Sequence, residues 1–463
     1  MTWGTRLSAR ALLPLLGEWH GSPAYAALAG RIRLLIGDGR ITAGTRLPSE
    51  RELAAALSRS RSTVVAAYQS LRDSGHLVSV HGSGSRAVLP RERRREVDFA
   101  RAAPPPVEGL DELLAGLAPC LTSALDGPAF DLLGNRALRE AIADRYVRRG
   151  LATTPDEIVV TTGGQHAIAL AAQTLVRRAD HVLVESPTYP HACEALLRAG
   201  ARPVVTPVTT AGWDTGQLVA LLGQVRPALA YLIPDFHNPT GASMPPDDRV
   251  RVAEAARRAG TTLLIDETTA DLSIDRPWDD GPFARHAHGA DVVTIGSLSK
   301  SVWGGLRLGW LRADASVVHR LVQARPAGDL GTPQLEQLLG ERVVRALPGL
   351  LPRRAAQLRV NRDTLYDLLA RHLPGWRVPR VDGGLSLWAG LDRPASSALA
   401  QLCQARGIAL SAGPRFGIGG SHERFVRLPF TMAADDLDRG VRALAECWAQ
   451  VGADVPGPGP VVV

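Results

Sequence analysis

Lysine is all but missing from this chain. Of its 53 strongly basic residues, every one except Lys300 is an arginine. A guanidinium replaces an ammonium wherever a solvated positive charge suffices, but it stays protonated and is a poor nucleophile. One side chain is therefore able to condense with an aldehyde, and it lies in Gly296-Ser297-Leu298-Ser299-Lys300-Ser301. The count alone leaves a leftover surface lysine equally open, so the neighbouring motifs decide. Cysteine is also scarce. Cys120, Cys193, Cys403 and Cys447 are far apart with no CxxC spacing, which argues against a disulfide framework or a metal site and for buried or inert thiols. No apolar run reaches the roughly 18 residues of a membrane span. Ala11-Leu12-Leu13-Pro14-Leu15-Leu16 is short, broken by proline and followed by Glu18, unlike a signal peptide. A cytoplasmic protein is expected.

What is present is ordinary in bulk, with 45% hydrophobic and 21% charged residues in a chain of 463. That length suggests roughly three domains, or one small unit and one large two-part unit. Charge separates them. Residues 1–97 hold 15 arginines against 7 acidic residues, whereas the remainder holds 38 basic against 39 acidic. A small basic module on a neutral body suggests a nucleic-acid binder joined to something else.

Within the basic module, Tyr25, Leu28, Ile32 and Leu35 recur at helical spacing from Pro23 to Ile36, and Gly37-Asp38-Gly39 ends that helix. Ser49 reads as an N-cap with Glu52 completing a capping box, for a second helix to about Leu57. After Ser58-Arg59-Ser60 a third helix is expected from near Ser62, with Val64, Val65, Tyr68 and Leu71 toward the core and Gly75 at its end. Leu77-Val78-Ser79-Val80 and Arg86-Ala87-Val88-Leu89 then read as strands around a glycine-rich tip, His81-Gly82-Ser83-Gly84-Ser85. Helix, tight turn, second helix and hairpin wing form an α+β winged helix-turn-helix over residues 1–89. The first residues of the later helix reach base edges in such an arrangement. A helical oligomerisation domain with a basic face is the plainer alternative. Leu47-Pro48-Ser49-Glu50-Arg51-Glu52-Leu53-Ala54, Ser60-Arg61-Ser62-Thr63-Val64 and Ala67-Tyr68-x-x-Leu71-x-x-x-Gly75-x-Leu77 resemble the GntR type of winged helix. The resemblance implies double-stranded DNA as partner, with Arg51, Arg61, Ser62 and Thr63 as contacts and the wing around Gly82 supporting them.

Residues 90–97 read as a charged linker and 451–463 as a flexible tail. Between them, over 98–450, β-branched runs alternate with helical segments: 157–161, 181–184, 229–233, 262–265 and 292–295. Continuous apolar strands separated by helices imply an α/β unit, a mostly parallel sheet flanked by helices. Ligands on such sheets gather at the carboxyl ends of the strands. Thr162-Gly163-Gly164-Gln165 follows the first strand and opens a helix, as a phosphate cradle or a plain turn would. His237-Asn238-Pro239-Thr240-Gly241 follows the third, and taken singly is equally an Asn-Pro turn. Asp266 ends an apolar strand, where it is costly unless paired. Arg307 follows Lys300 by seven residues and could lie on the surface. Together they supply an amine, an anion cradle, an arginine, an amide donor and a carboxylate.

This second unit resembles the fold-type I aminotransferases, which bind pyridoxal 5′-phosphate (PLP). The resemblance implies that Lys300 forms the Schiff base, Asp266 pairs with the pyridine nitrogen and Asn238 donates to the phenolic oxygen. Gly164, Gln165, Ser297, Ser299 and Arg307 would hold the phosphate, Tyr189 would stack on the ring, and Arg427 would take a ligand carboxylate. A GntR winged helix joined to such a unit is the MocR type of transcriptional regulator, which implies a head-to-tail homodimer. Two positions depart from the family. Thr269 stands where many relatives carry a tyrosine, and Phe130 lies near another tyrosine position. Three functions follow. The leading one is a PLP-dependent regulator that senses PLP or an amino compound through an external aldimine, without efficient transamination. The alternatives are an active aminotransferase with an appended DNA module, and a regulator whose large domain is only a dimerisation scaffold.

Overall fold

A computed structural model describes residues 6–17, 19, 23–80, 84–89, 97–118, 121, 130–276, 281–418 and 420–451. Gly82 lies outside them, as do residues 90–96, 452–463 and Cys120. The N-terminal module packs four helices, α1 (Ala9–Leu16), α2 (Ala24–Gly37), α3 (Glu50–Leu57) and α4 (Arg61–Asp73), against β1 (Leu77–Val80) and β2 (Gly84–Ala87). The first of these is an addition to the expected set. Pro14 lies inside it, yet Leu12 and Leu16 are buried in the module's core, and that tertiary contact outweighs the local cost of the proline.

The capping box on α3 is present, with Ser49 Oγ accepting from Glu52 N at 3.2 Å and Glu52 Oε2 accepting from Ser49 N at 3.0 Å. Ser60 caps α4 by accepting from Thr63 N at 3.1 Å, so that helix begins one residue earlier than expected. Val65 is 40% exposed instead of facing the core. Consecutive helical residues diverge by about 100°, so Val64 goes inward with Tyr68 and Leu71 and Val65 cannot follow. The wing strands pair antiparallel, Leu77 opposite Ala87, and β2 runs two residues ahead of the expected 86–89 because its register is set by that pairing.

The second unit opens with β3 (Val97–Asp98) and is built on an eight-stranded sheet. Its strands are β4 (Ile158–Thr161), β5 (His181–Ser186), β6 (Arg202–Thr209), β7 (Gly212–Trp213), β8 (Leu229–Leu232), β9 (Thr262–Asp266), β10 (Val292–Ser297) and β11 (Gly309–Arg312). They lie in the order β4-β11-β10-β9-β8-β5-β6-β7. The sheet is parallel except where β11 runs against both neighbours and β7 against β6. β4, β8 and β10 are buried at every position, which is why they read as unbroken apolar runs. A smaller C-terminal part holds β12 (Ser386–Gly390), β13 (Ile408–Ala409), β14 (Ser411–Ala412) and β15 (Phe425–Pro429). β15 lies between β12 and β14, while β13 pairs with β3 in parallel. The long helix Gln334–His372 places Leu339, Val343 and Leu347 in the sheet's core and Leu358, Leu365 and Leu369 in the C-terminal core, tying the two together. No helix among the described residues is long and apolar enough to cross a membrane, and no described cluster could hold a metal ion.

Arginine does the structural work inside this unit. Arg354, 1% exposed, donates to the carbonyls of Ser301 (3.0 Å), Val302 (2.7 Å) and Pro105 (2.7 Å). It thereby fixes the loop that follows Lys300. Arg325, also 1% exposed, donates to Leu132 O and Val160 O. A planar fork of five donors can satisfy several carbonyls at once, which an ammonium cannot do in the same plane. Arg354→Met should lower the unfolding midpoint of the large unit in urea by an amount equivalent to about 3 kcal/mol, because buried acceptors lose their donors. Arg354→Lys should recover less than half of it; full recovery would show that charge, not the fork, matters.

Candidate functional site

Five chain segments meet at the carboxyl ends of the sheet strands. After β4 the turn through Gly163, at φ +83°, opens the helix Gly164–Leu175 without a side-chain cap. The first N–H groups of an uncapped helix are orphan donors with a favourable dipole. A Cβ at Gly163 would stand 2.9 Å from Arg307 Nη2, and one on Gly309 would stand 2.9 Å from Gly164 N. The turn, Arg307 and β11 are thus packed into a cradle that only glycine permits. Arg307 donates to Thr162 O at 3.1 Å. Gly164 faces Thr268 and Ser297, since a Cβ added to it would lie 3.0 Å from the first side chain and 3.7 Å from the second. Ser297 Oγ accepts from Ser299 N at 3.1 Å and donates to Leu308 O at 3.0 Å. Gln165 sends its amide to His191 O at 3.1 Å, and its Oε1 is buried without a partner. Its contribution to the cradle is therefore through its backbone.

Lys300 follows β10 and is partly buried, its Nζ donating to Ala102 O at 2.7 Å. Loss of water around the amine, then the nearby charge of Arg427, pull its pKa down to about 8, against an opposing pull from Asp266. Arg427, on β15, is 7% exposed and donates through Nη2 to Ala100 O and through Nη1 to Asn238 Oδ1 at 3.5 Å. Burial pulls it down to about 10, so it remains a cation at neutral pH. Its Nε is buried with no partner, and its guanidinium sits 5.0 Å from the centre of the Phe416 ring. Two carbonyls of the segment leading from the linker, Ala100 and Ala102, thus occupy the two cationic groups. That segment is anchored on either side, by Phe99 N on Ala409 O at 2.8 Å and by Arg354 on Pro105.

Asp266, 3% exposed, is held by two donors: Thr268 N reaches Oδ1 at 3.0 Å and Tyr231 OH reaches Oδ2 at 2.6 Å. Tyr231 was not a sequence candidate, since within an apolar strand a tyrosine reads as core. Tyr189 begins the helix Pro190–Arg198, and burial followed by the field of Asp266 pushes its pKa up to about 12. Thr269 is already engaged, donating to Asp235 O at 2.7 Å. Phe130 is 69% exposed. Lys300, Asp266, Arg307, Arg427, Tyr189 and Asn238 are therefore brought together, and the donor set matches an aldehyde cofactor with a phosphate and a pyridine ring. An anion cradle, a neutralisable amine, a buried carboxylate and an unpartnered buried guanidine N–H are all in place.

On the winged helix, Arg51, Arg61 and Ser62 are exposed and Thr63 is half-buried at the start of α4. The hydroxyls of Ser62 and Thr63 lie 2.9 and 2.7 Å from Ser60 Oγ, a local tie that the sequence reading missed. The module rests on the C-terminal part through α2. Leu34 packs with Ala400 and Ala412, and Arg31 pairs with Glu423 at 3.5 Å. Glu423 also accepts from Ser396 Oγ, Ser397 N and Ser397 Oγ. It lies four residues before Arg427.

Comparison with known proteins agrees with both halves. Residues 129–444 match aminotransferase class I and II, and residues 24–86 match bacterial regulatory proteins of the gntR family. YisV of Bacillus subtilis (strain 168), an uncharacterized HTH-type transcriptional regulator, is 25% identical across 93% of this chain and 98% of its own. YdcR of Escherichia coli (strain K12), described in the same words, is 29% identical across 87% of this chain and 94% of its own. The crystal structure of LysN, an alpha-aminoadipate aminotransferase from Thermus thermophilus complexed with N-(5′-phosphopyridoxyl)-L-leucine, superposes with a TM-score of 0.70 at 27% identity. It covers 78% of this chain and 94% of that one. An aminotransferase-type sheet with its strand-end site and an N-terminal winged helix are thus matched segment by segment, and the chain belongs to the aminotransferase class I and II family, with a gntR-type regulatory domain at its N-terminus.

Proposed function

We propose that this protein is a PLP-dependent, DNA-binding transcriptional regulator that senses PLP or, more specifically, an amino compound bearing a carboxylate. One observation carries the sensing role: Arg427, the ligand-facing cation, and Glu423, the partner of α2 in the winged helix, lie four residues apart on one stretch of chain. A ligand carboxylate at Arg427 competes with the Ala100 carbonyl, and that carbonyl belongs to the segment that leaves the linker. The ligand shifts DNA affinity by its differential affinity for the two arrangements.

The residues divide the work at the site. The Gly163–Gly164 turn, Ser297, Ser299 and Arg307 would hold the phosphate, Asn238 would donate to the phenolic oxygen, Tyr189 would stack on the ring and Asp266 would pair with the pyridine nitrogen. Bound there, PLP supplies an electrophilic aldehyde and an electron-withdrawing ring. Lys300 Nζ, with its pKa at about 8, loses its proton as pH rises through about 8, well below the range of an exposed lysine. Arg427 orients the incoming ligand. Thr269 gives its hydroxyl to Asp235 O, so the cofactor's phenolic oxygen lacks that second donor, which supports sensing over turnover. The exposed side chains of Phe130, Leu330 and Leu335 support a head-to-tail homodimer that buries this apolar area, with two winged helices on repeated half-sites in the cytoplasm.

Lys300→Ala should abolish the visible absorbance of the bound cofactor and leave nothing that borohydride can fix to the protein. A reduced adduct persisting in that mutant would remove the assignment. In the wild type, capture of added PLP by the unloaded protein should accelerate as pH rises and level off above about 8, because only the neutral amine reacts. Arg61→Ala should weaken operator binding by about 1–3 kcal/mol and flatten its salt dependence, measured by fluorescence anisotropy; unchanged affinity would relocate the recognition helix. Arg427→Ala should blunt the change in DNA affinity caused by carboxylate-bearing amines while keeping the cofactor absorbance. Turnover of amino donor with 2-oxo acid at about 1–10³ per second would favour the active aminotransferase instead.

A further inference from the structure

We propose that Tyr231 is a positioning residue of the cofactor site, which fixes Asp266 from behind and sets how much negative charge that carboxylate presents to the pyridine ring. The inference rests on the reading above that Lys300 carries PLP and Asp266 pairs with its nitrogen. On β8, Tyr231 is paired with Leu264 of β9. Leu264 and Asp266 are two apart on one strand and so share a face, which makes Tyr231 the diagonal neighbour of Asp266. Its hydroxyl donates to Oδ2 at 2.6 Å, both groups being nearly or fully buried. That is the length of a charge-assisted O–H···O⁻ bond.

The phenol can act only as a donor here. Burial, then the charge of Asp266 and its hydrogen bond, hold the Tyr231 hydroxyl protonated far above the ordinary phenol range. Glu185 on β5 also faces it, as does Tyr189 from the next helix. Glu185 has donors of its own, accepting from Trp213 Nε1 at 2.8 Å and Ile233 N at 3.0 Å and lying 3.2 Å from His237 Nε2, and the Tyr231 hydroxyl bonds to Asp266 instead. The proton of Tyr231 therefore belongs to Asp266. A phenol is missing at position 269, on the side of the cofactor's phenolic oxygen, and one is present behind the carboxylate. Control of the ring's electrons sits on the nitrogen side.

The test is a pH titration of the visible absorbance of the PLP-loaded, full-length protein. Tyr231→Phe removes the donor and keeps the ring. Asp266 then presents more negative charge, which favours the protonated form of the nitrogen joined to Lys300, so the midpoint should rise by about one pH unit. Repeated in an Asp266→Asn background, the same change should leave the midpoint where it was, since the two residues act as one coupled pair. Should Tyr231→Phe fail to fold, incorporating 3-fluorotyrosine at position 231 supplies a stronger donor in the same ring and should lower the midpoint. No movement with either change, or equal movement with and without Asp266, overturns the proposal. Failure of the underlying cofactor reading is distinguishable, because the wild type would then show no visible absorbance after loading, or one that survives Lys300→Ala.

Discussion

The site depends on keeping water away from one amine. In water a lysine is an ammonium ion at neutral pH and has no lone pair to offer. Here the carboxyl ends of β9 and β10, the lead-in segment and Arg427 close around Lys300, so that desolvation and a neighbouring cation bring its pKa to about 8. Asp266 pulls the other way, and its engagement by Thr268 N and Tyr231 OH keeps that pull in check. The absence of lysine elsewhere is then intelligible. Structural cations in this chain bridge several carbonyls at once, as Arg354 and Arg325 do, and a guanidinium does that better than an ammonium. Amine chemistry is the one task arginine cannot perform, and the only lysine lies at the position proposed to perform it.

Coupling between site and winged helix needs no long route. Glu423 binds Arg31 of α2 on one side and three donors at the start of the helix Ser396–Ala405 on the other. Arg415 adds a second connection, pairing with Glu194 at 2.9 Å while its guanidinium lies beside Gly39 at the end of α2. Phe416, next in the chain, carries Arg427 over its ring and accepts from Thr188 N at 2.9 Å. On the proposed reading, movement of Arg427 toward a carboxylate would disturb contacts that reach the winged helix through two adjacent side chains, Phe416 and Arg415. Partly exposed ion pairs such as Arg31–Glu423 contribute little to stability. A weak contact is what a switch requires, because a ligand must be able to outbid it.

Much of this was legible in the sequence, and the reasons differ by element. Capping boxes, glycine ends and apolar strands are local signals, so α3, α4 and five strands of the large sheet were found with ends off by one or two residues, while the parallel strand β6, its run interrupted by Pro203 and Pro207, was not among them. The strand-end motifs were legible because parallel sheets collect ligand groups at one edge. What escaped had no local signal. The carbonyls of Ala100 and Ala102 act through the backbone, which every residue shares. Ser60 reads as a turn residue until the helix start is known. Tyr231 reads as core because only the register of β8 on β9 brings its hydroxyl to Asp266. Helix α1 forms on tertiary contact, against its own proline.

Retention of the cofactor groups beside altered reaction groups follows from what each must do. Holding PLP is an equilibrium property, which on the proposed reading the cradle, the carboxylate and the amine would satisfy together. Turnover would also require proton transfers that a donor at the phenolic oxygen assists, and position 269, where the resemblance implies a tyrosine in many relatives, here holds Thr269, committed to Asp235 O. A threonine there still serves the fold, since Asp235 is the buried anchor of Arg249 and Arg276, each at 2.7 Å. Thr269 thus ties down the loop that carries Asn238 instead of offering a phenol to the site. On the proposed reading, a stiffer loop beside the ligand would favour a long-lived bound state, and occupancy, not rate of turnover, is what a regulator reads.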